Sequence, residues 1–205
     1  MSKSFRTLKP SVKASSRLKR TKEGVEGLRI IERKPYKGDI HPISKKDLSA
    51  LLFLIPSEYL YGLSSIELRA RNSEIGQPFG IYCPDEKRII LYSLTLSWKM
   101  GHLSSSCRST VLKNDAFVDE SEDVVTVTWN DETNLALWLF KEVFLHELGH
   151  HYRSQYRYKN GSEDYDTEES LADLHSTRIL DHISNLIKNK RANQAEVSTP
   201  FRAPR

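Results

Sequence analysis

The chain lacks the features that most directly identify a secreted or membrane-bound protein. It contains only two cysteines, Cys83 and Cys107, and they do not form a C-x-x-C pair. This excludes a disulfide framework and a cysteine metal clip, and it indicates a reducing compartment. No run approaches the roughly 18 apolar residues of a membrane-spanning helix, and no apolar segment near the N terminus has the length of a secretory signal. We therefore expect a cytoplasmic protein with no transmembrane segment.

Charge is distributed unevenly along the 205 residues, of which 38% are hydrophobic and 28% are charged. Residues 1–37 hold twelve Lys or Arg against three Glu, residues 38–187 have a net charge of −9, and residues 188–205 have a net charge of +4. An acidic region thus lies between two basic ends, and the length suits a single domain. We predict a basic, largely disordered arm over 1–37, one folded domain over 38–188, and a basic disordered tail over 189–205.

The basic ends are compatible with several kinds of partner. The first 20 residues contain no acid and are rich in Ser, Lys and Arg. Such arms bind the phosphates of nucleic acid or an anionic lipid surface, and an acid-free, Ser-rich start is also typical of an organelle transit peptide. A solvated tail without a partner is the plainest alternative. Nucleic acid binding and organelle targeting are therefore hypotheses that depend on charge alone.

The most informative segment is the H-E-x-x-H motif from His146 to His150. Two His residues four positions apart lie about 40° apart around a helix, so both imidazoles can bind one metal ion. Glu147 lies beside them, where a carboxylate can take a proton from a zinc-bound water. His151 is turned about 100° from His150, and we expect it to face solvent or a hydrogen-bond partner. Because composition alone can produce such a motif by chance, its setting matters.

The setting of the motif fits a buried metal site. Residues 135–145 are apolar nearly all round, which predicts a buried helix with Asp131 or Thr133 as its N-cap. Polar His residues on a buried helix face need hydrogen-bond or metal partners, and a metal ion would be such a partner. Because a glycine inside a helix costs about 1 kcal/mol relative to alanine, we expect another backbone to pack closely against Gly149.

Catalytic zinc usually has three protein ligands, so a third ligand is expected, and the next helix is the place to look for it. That helix begins near Asp166 with a capping pattern, in which an acid follows three residues later. Glu169 and Asp173 are four residues apart and project from the same face. We predict Glu169 as the third ligand and Asp173 as the acceptor of a ring N–H from a ligand His. The alternative is that both acids only complement the helix dipole.

These residues resemble the gluzincin class of zinc metallopeptidases, in which H-E-x-x-H lies on one helix and a Glu ligand lies on the next within E-x-x-x-D. Residues 169–173 are similar to the matching segment of M48-type peptidases, and the short layout is similar to that of ImmA/IrrE-type regulatory peptidases. The resemblance covers residues 124–180. It implies one zinc ion per chain held by the two motif His and Glu169, with Glu147 as general base, and hydrolysis of peptide bonds in a protein or peptide substrate.

The resemblance also implies a small zincin-like α+β domain, in which a mostly antiparallel sheet packs on the H-E-x-x-H helix and on the Glu-bearing helix. In such peptidases the strand before the metal helix lies at the sheet edge and pairs with an extended substrate, and here that strand is Val124–Trp129. A plain core strand is the alternative. The competing function is a non-catalytic or latent zincin-fold protein that its basic ends recruit to nucleic acid or to another partner.

The residues before this region predict a helix followed by strands. Turn residues and apolar alternation set the expected bounds. The predicted elements are a helix capped by Ser44 that ends before Pro56, a half-buried strand over 65–71, a hairpin with strands 79–82 and 88–94, and an irregular surface insertion over 97–122.

Overall fold

The computed structural model describes residues 20–21, 24–25, 27–71, 77–121, 124–156 and 165–197, and over these residues the chain is an α+β protein, as predicted. The strands are β1 (Arg20–Thr21), β2 (Gly24–Val25), β3 (Arg29–Glu32), β4 (Ser65–Arg69), β5 (Gly80–Cys83), β6 (Arg88–Tyr92), β7 (Ser97–Met100), β8 (Ala116–Ser121) and β9 (Val124–Trp129). The helices are α1 (Lys45–Leu52), α2 (Ser57–Leu60), α3 (Ser105–Lys113), α4 (Glu132–Trp138), α5 (Leu145–Tyr156) and α6 (Tyr165–Val197), and a π-helix (Leu139–Phe144) joins α4 to α5.

The sheet nearest the motif helix is mixed and has the strand order β3-β4-β6-β5. Strand β4 pairs in parallel with both β3 and β6, whereas β5 and β6 form the predicted antiparallel hairpin, with Cys83 opposite Arg88. The expectation of a mostly antiparallel sheet is therefore wrong for this sheet. Its physical reason is the connection through α1 and α2, which gives β3 and β4 the crossover that a parallel pair requires. Strand β5 lies at the edge of the sheet.

Strand β3 lies within the segment for which we predicted a disordered arm. Its four residues pair with β4, and Ile30 packs against the core. The prediction of disorder is wrong for Arg29–Glu32, because adjacent apolar residues supply surface that the domain buries. The folded domain therefore starts before residue 38. Residues 1–19 lie outside the described part of the chain, and the prediction for them stays a prediction.

The second sheet is antiparallel and has the order β7-β9-β8. Its outer strands β7 and β8, with α3 between them, hold most of residues 97–121, so the prediction of an irregular insertion over 97–122 is wrong for these residues. Helix α3 begins at Ser104, whose hydroxyl accepts the backbone N–H of Cys107 at 3.2 Å, and it buries Val111 completely. These elements are short, and their exposed faces mix polar residues with Leu112 and Phe117, so no regular apolar period in the sequence predicts them.

Strand β9 is the central strand of this sheet, flanked by β7 and β8. The expectation that Val124–Trp129 is an edge strand is therefore wrong, and the alternative of a core strand is correct. Its inward side chains Val127 and Trp129 are buried. A central strand has both rows of backbone groups paired within the sheet, so it cannot add a further strand.

A single run of helical turns carries the motif, as predicted. Asp131 caps its start by accepting the backbone N–H of Asn134 at 2.8 Å. The apolar side chains of α4, the π-helix and α5 form the centre of the core, and the most buried of them are Leu135, Trp138, Leu139, Phe144, Leu145 and Leu148. The π-helix was not predicted, because a segment that is apolar all round reveals no change in helical period.

The helix before the sheet also forms where predicted. Ser44 caps α1, since its hydroxyl accepts the backbone N–H of Asp47 at 3.1 Å. The inward residues Leu48 and Leu52 are almost fully buried, and α1 ends at Leu52, four residues before Pro56. Proline disfavours helical geometry in the residue that precedes it, which limits how far this helix can extend.

Helix α6 is 33 residues long and continues to Val197, so the prediction of a disordered tail is wrong for residues 189–197. Its inward side chains, Ala172, His175, Ser176, Ile179 and Ile183, are all buried. Residues 198–205 lie outside the described residues. Among the described helices, none combines the length and the apolar character needed to cross a lipid bilayer.

Candidate metal centre

Helices α5 and α6 pack against each other and bring the three predicted ligands together. His146 and His150 are one turn apart on α5, and their Nε2 atoms are 3.1 Å apart. Glu169 lies in the first turns of α6, with Oε2 at 3.1 Å from His146 Nε2 and Oε1 at 3.4 Å from His150 Nε2. The three side chains are partly buried, and their ligand atoms all lie within 4.8 Å of one another.

Gly149 makes this close approach possible. A β-carbon built on Gly149 would lie 2.5 Å from the carbonyl oxygen of Ala172 and 2.9 Å from its α-carbon. Both atoms belong to the backbone of α6, so neither can move aside as a flexible side chain would. The expectation that another backbone packs against Gly149 is confirmed. Glycine therefore sets the distance between the helix that carries the His pair and the helix that carries Glu169.

The spacing of the three donors fits a single metal ion. Two ligands held about 2.0–2.1 Å from a tetrahedral zinc ion are about 3.3 Å apart. The two Nε2 atoms are 3.1 Å apart, and the Glu169 carboxylate places Oε2 at 3.1 Å from one of them and Oε1 at 3.4 Å from the other, so each separation is close to that value. Two imidazoles and one carboxylate suit zinc and also several other divalent metals. Both the chemistry of these three side chains and their spacing are therefore compatible with one bound divalent metal ion.

Asp173 lies beside the first of these ligands. Its Oδ1 atom is 2.7 Å from His146 Nδ1, one turn along α6 from Glu169. The Asp173 carboxylate can only accept a hydrogen bond, so Nδ1 of His146 carries the hydrogen and donates it. The lone pair of Nε2 is then directed at the other two candidate metal ligands, His150 and Glu169. This is the position that the sequence predicted for Asp173. Its effect on metal affinity stays a prediction.

Burial also favours the neutral imidazole that a metal requires. It lowers the pKa of His150, and the neighbouring His146 lowers it further, while the charges of Glu169 and Asp173 oppose both effects. A neutral ring keeps a lone pair available for a metal ion.

Glu147 is held by the edge strand of the mixed sheet. Its Oε2 atom accepts the backbone N–H of Tyr82, in β5, at 2.8 Å. Burial raises the pKa of Glu147, the charge of His146 and the Tyr82 N–H partly offset this effect, and the charge of Glu169 adds to it. A carboxylate whose pKa is raised toward neutral pH is suited to accept and return protons.

The site opens into a cleft of about 490 Å³ between β5 and the two helices. Besides the predicted residues, its walls include Gly80, Ile81, Tyr82, Pro84, Arg153 and Ser154. A cleft of this size lies within the range of sites that take small molecules or short peptide segments. The structure thus places His146, Glu147, His150 and Glu169 along one accessible surface.

Sequence reasoning missed the residues that join α5 to β5. The phenol oxygen of Tyr82 lies 2.7 Å from Ser154 Oγ and 3.2 Å from His151 Nδ1. His151 is fully buried and has hydrogen-bond partners, which is one of the two outcomes expected for it. A signal for this contact was present, since Glu147, His151 and Ser154 recur at i, i+4 and i+7 and so form one stripe of the helix. The partner strand could not be identified from that stripe.

Comparison with known proteins adds no relative: no family model, no curated protein and no solved structure matches the chain.

Proposed function

We propose that the protein is a zinc-dependent metallopeptidase with a zincin-like arrangement of its mixed sheet, its motif helix and its Glu-bearing helix. The observation that carries this proposal is the convergence of His146, His150 and Glu169 at ligand spacing, with Glu147 at the same cleft. Two ligands come from one helix and the third from another, so the spacing depends on tertiary packing and is not a property of the motif alone.

The residues of the chain would divide the reaction between them. Zinc, when bound by the two His and Glu169, supplies a Lewis acid that polarises the scissile carbonyl and lowers the pKa of a water. Glu147 accepts the proton of the attacking water and returns it to the leaving amine, for which its raised pKa suits it. Asp173 holds the imidazole of His146 through its Nδ1–H and so keeps Nε2 available.

We further propose that a peptide substrate pairs with β5 and not with Val124–Trp129. Strand β5 is at the edge of its sheet and lines the cleft. The N–H of Tyr82 points away from β6 and is taken by Glu147, and backbone directions alternate along a strand, so the backbone groups of Gly80 also point away from β6. An extended peptide can add there as a further strand, which would bring its backbone past the metal site.

The metal content of the purified protein tests the proposal. We expect about one zinc per chain by elemental analysis, loss of zinc in His150→Ala, and weaker binding in Glu169→Ala, because two ligands hold the ion poorly. His182→Ala is the matched control, since His182 is an exposed histidine on α6 and should have no effect. Full zinc occupancy in both ligand variants would overturn the assignment.

Peptide hydrolysis then separates the two functions that share this site. Cleavage of a mixture of unstructured peptides, abolished by chelation and restored by zinc, supports the peptidase. One zinc per chain with no cleavage would instead favour the latent or non-catalytic alternative.

A further inference from the structure

Tyr82 connects β5 to α5 through both its backbone and its side chain. Its N–H donates to Glu147 Oε2 at 2.8 Å, and its phenol oxygen contacts Ser154 Oγ at 2.7 Å and His151 Nδ1 at 3.2 Å. We propose that Tyr82 is a positioning residue that fixes the orientation of the Glu147 carboxylate, with its phenol as the anchor of that contact. The catalytic part of this proposal rests on the proposed peptidase function, whereas the geometric part does not.

The direction of each hydrogen bond follows from the donors that are available. His151 Nε2 lies 3.0 Å from the carbonyl oxygen of Tyr61, which can only accept, so Nε2 carries the hydrogen and Nδ1 of the neutral ring accepts. The hydroxyl of Ser154 donates to the carbonyl oxygen of His151 at 2.8 Å, so its oxygen is left to accept. Both neighbours of the Tyr82 phenol are therefore acceptors, and the phenol donates its single hydrogen to the nearer one, Ser154 Oγ at 2.7 Å, or shares it with His151 Nδ1 at 3.2 Å.

Tyr82 contacts α5 at three residues, and these contacts restrain its position relative to the helix. Glu147, His151 and Ser154 lie at i, i+4 and i+7, so they present a single face of α5 to Tyr82. We call Tyr82, His151 and Ser154 the Tyr82 anchor. His151 is itself held by the chain after α2 through the Tyr61 carbonyl, and it is fully buried, so the anchor does not depend on a mobile surface group.

Orientation matters for Glu147 because its side chain has several torsions. A hydrogen bond at one carboxylate oxygen selects among the staggered rotamers and holds the group before substrate binds. A base that is already oriented reacts faster than one that must find its orientation, and small misplacements in a site cost about 10–100-fold in rate. Loss of the phenol should therefore lower kcat of the peptidase while KM changes little.

Hydrogen exchange tests the geometry without any need for activity. In the full chain labelled with ¹⁵N-tyrosine, we expect the Tyr82 amide to exchange about tenfold faster in Glu147→Ala, because the donor has lost a charged acceptor. The Tyr92 amide is the internal control, since it donates to the Phe79 carbonyl at 3.0 Å within the same sheet and should not change. An unchanged Tyr82 amide in Glu147→Ala would overturn the proposed contact.

The anchor is tested by removing the phenol or one of its acceptors. In Tyr82→Phe, labelled with ¹⁵N-phenylalanine, and in Ser154→Ala, we expect the amide at position 82 to exchange several-fold faster than in wild type. Tyr36→Phe removes an exposed phenol and is the control. Protection equal to wild type in both variants would show that the phenol anchors nothing.

A fall in kcat by about 10–100-fold in Tyr82→Phe, with KM and melting temperature close to wild type, is the result expected of a positioning residue. A fall in melting temperature with kcat of the folded protein unchanged would show a structural role only, and would overturn the proposal. Faster exchange in a protein that cleaves no peptide would leave the orientation of Glu147 established and would count against the peptidase function alone.

Discussion

Glu67 and Glu147 are both carboxylates inside the fold, but their partners differ in charge and number. Glu67, in β4, is only 1% exposed and contacts three guanidinium groups, those of Arg33 at 3.0 Å, Arg69 at 2.8 Å and Arg88 at 3.2 Å. Glu147 accepts one neutral backbone N–H and lies near the His pair. One carboxylate is surrounded by positive charge, and the other is not.

This difference in partners sets the pKa values in opposite directions. Burial alone would raise the pKa of Glu67, but the hydrogen bonds from Arg69 and Arg33 and the nearby positive charges outweigh it and lower that pKa. For Glu147 burial is the largest effect, and its pKa is raised. Glu67 therefore stays ionised and holds strands together, whereas Glu147 is able to exchange protons. The comparison shows that burial alone does not set the direction of a carboxylate's pKa shift.

Replacement of each acid by its amide should separate the two roles most clearly. Glu147→Gln should retain zinc and lose about 10²–10⁴-fold in peptide hydrolysis, because the amide cannot accept the proton. Glu67→Gln, measured on folded protein, should retain both zinc and hydrolysis. Elemental analysis and a peptide cleavage assay on the two variants provide the measurement. Loss of zinc from Glu147→Gln would show that Glu147 is a ligand and not a base.

The free energy of unfolding should show the reverse order, with the larger loss in Glu67→Gln and the smaller one in Glu147→Gln. Glu67→Gln leaves three arginines without their shared carboxylate, and breaking a buried ion pair in this way costs about 3 kcal/mol in free energy of unfolding. The pKa of Glu67 is depressed in the folded state, so its contribution is present above pH 4.5 and is lost as the pH falls through the folded pKa. Urea unfolding at pH 7 and at pH 3.5 measures both effects. An equal loss at the two pH values would contradict the assignment of the effect to ionised Glu67.

Replacement of Asp173, which lies beside the candidate ligand His146, should have a smaller effect than replacement of either glutamate. Asp173→Asn should lower zinc affinity or hydrolysis by about 10–100-fold, because the Nδ1–H of His146 loses a charged acceptor. The fold should remain intact, since the Asp173 side chain is 72% exposed. Competition with a zinc chelator gives the affinity. Affinity and activity equal to wild type would return Asp173 to the alternative of a residue that only complements the helix dipole.

The smallest expected effect is on the pH dependence of stability, and it concerns the buried imidazole of His175. His175 packs against Tyr59 and Tyr152, and burial lowers its pKa, as do the charges of Arg178 and Arg153. Because the unfolded chain binds this proton more readily, the contribution of His175 to stability should fall as the pH drops through 6.5, by at most about 1.4 kcal/mol between pH 7.5 and pH 5.5. His175→Phe should reduce this pH dependence, and His182→Gln, at an exposed position, should not. Urea unfolding at pH 7.5 and 5.5 decides between them.

The candidate site was more predictable than the sheets around it. The spacing of His146, Glu147 and His150 is local, and the helical period carries it directly from sequence to space. Gly149 likewise signalled a close neighbour, because its cost inside a helix calls for a compensating contact. Glu169 required a further step, since its position depends on how two helices pack. Its placement followed from a resemblance and from the amphipathic pattern of α6.

Strand order could not be obtained in the same way. A sequence period shows which residues of a strand share a face, but not which strand lies beside it, so the sequence leaves both an edge and a core position open for Val124–Trp129, and the strand is central. The strand that does line the cleft, β5, was recognised only as half of a hairpin. The sequence predicts that β4 is half-buried, and its Glu67 is buried beside Arg69 of the same strand, Arg88 of β6 and Arg33, which follows β3. Such pairings are non-local and leave no period in the sequence.

The π-helix before the motif has a consequence for the rotational phase of the metal helix. Each turn of a π-helix holds more residues than a turn of an α-helix, so the segment Leu139–Phe144 acts as an inserted residue within a continuous α-helical path. If the same six residues instead formed a regular α-helix, with none removed, everything that follows would turn by about 100° relative to α4. The large apolar side chains of α4 would keep their places, while the His pair would be rotated away from Glu169. The wider π turn therefore allows a single helical run to direct its first half into the core and the His pair of its second half toward Glu169.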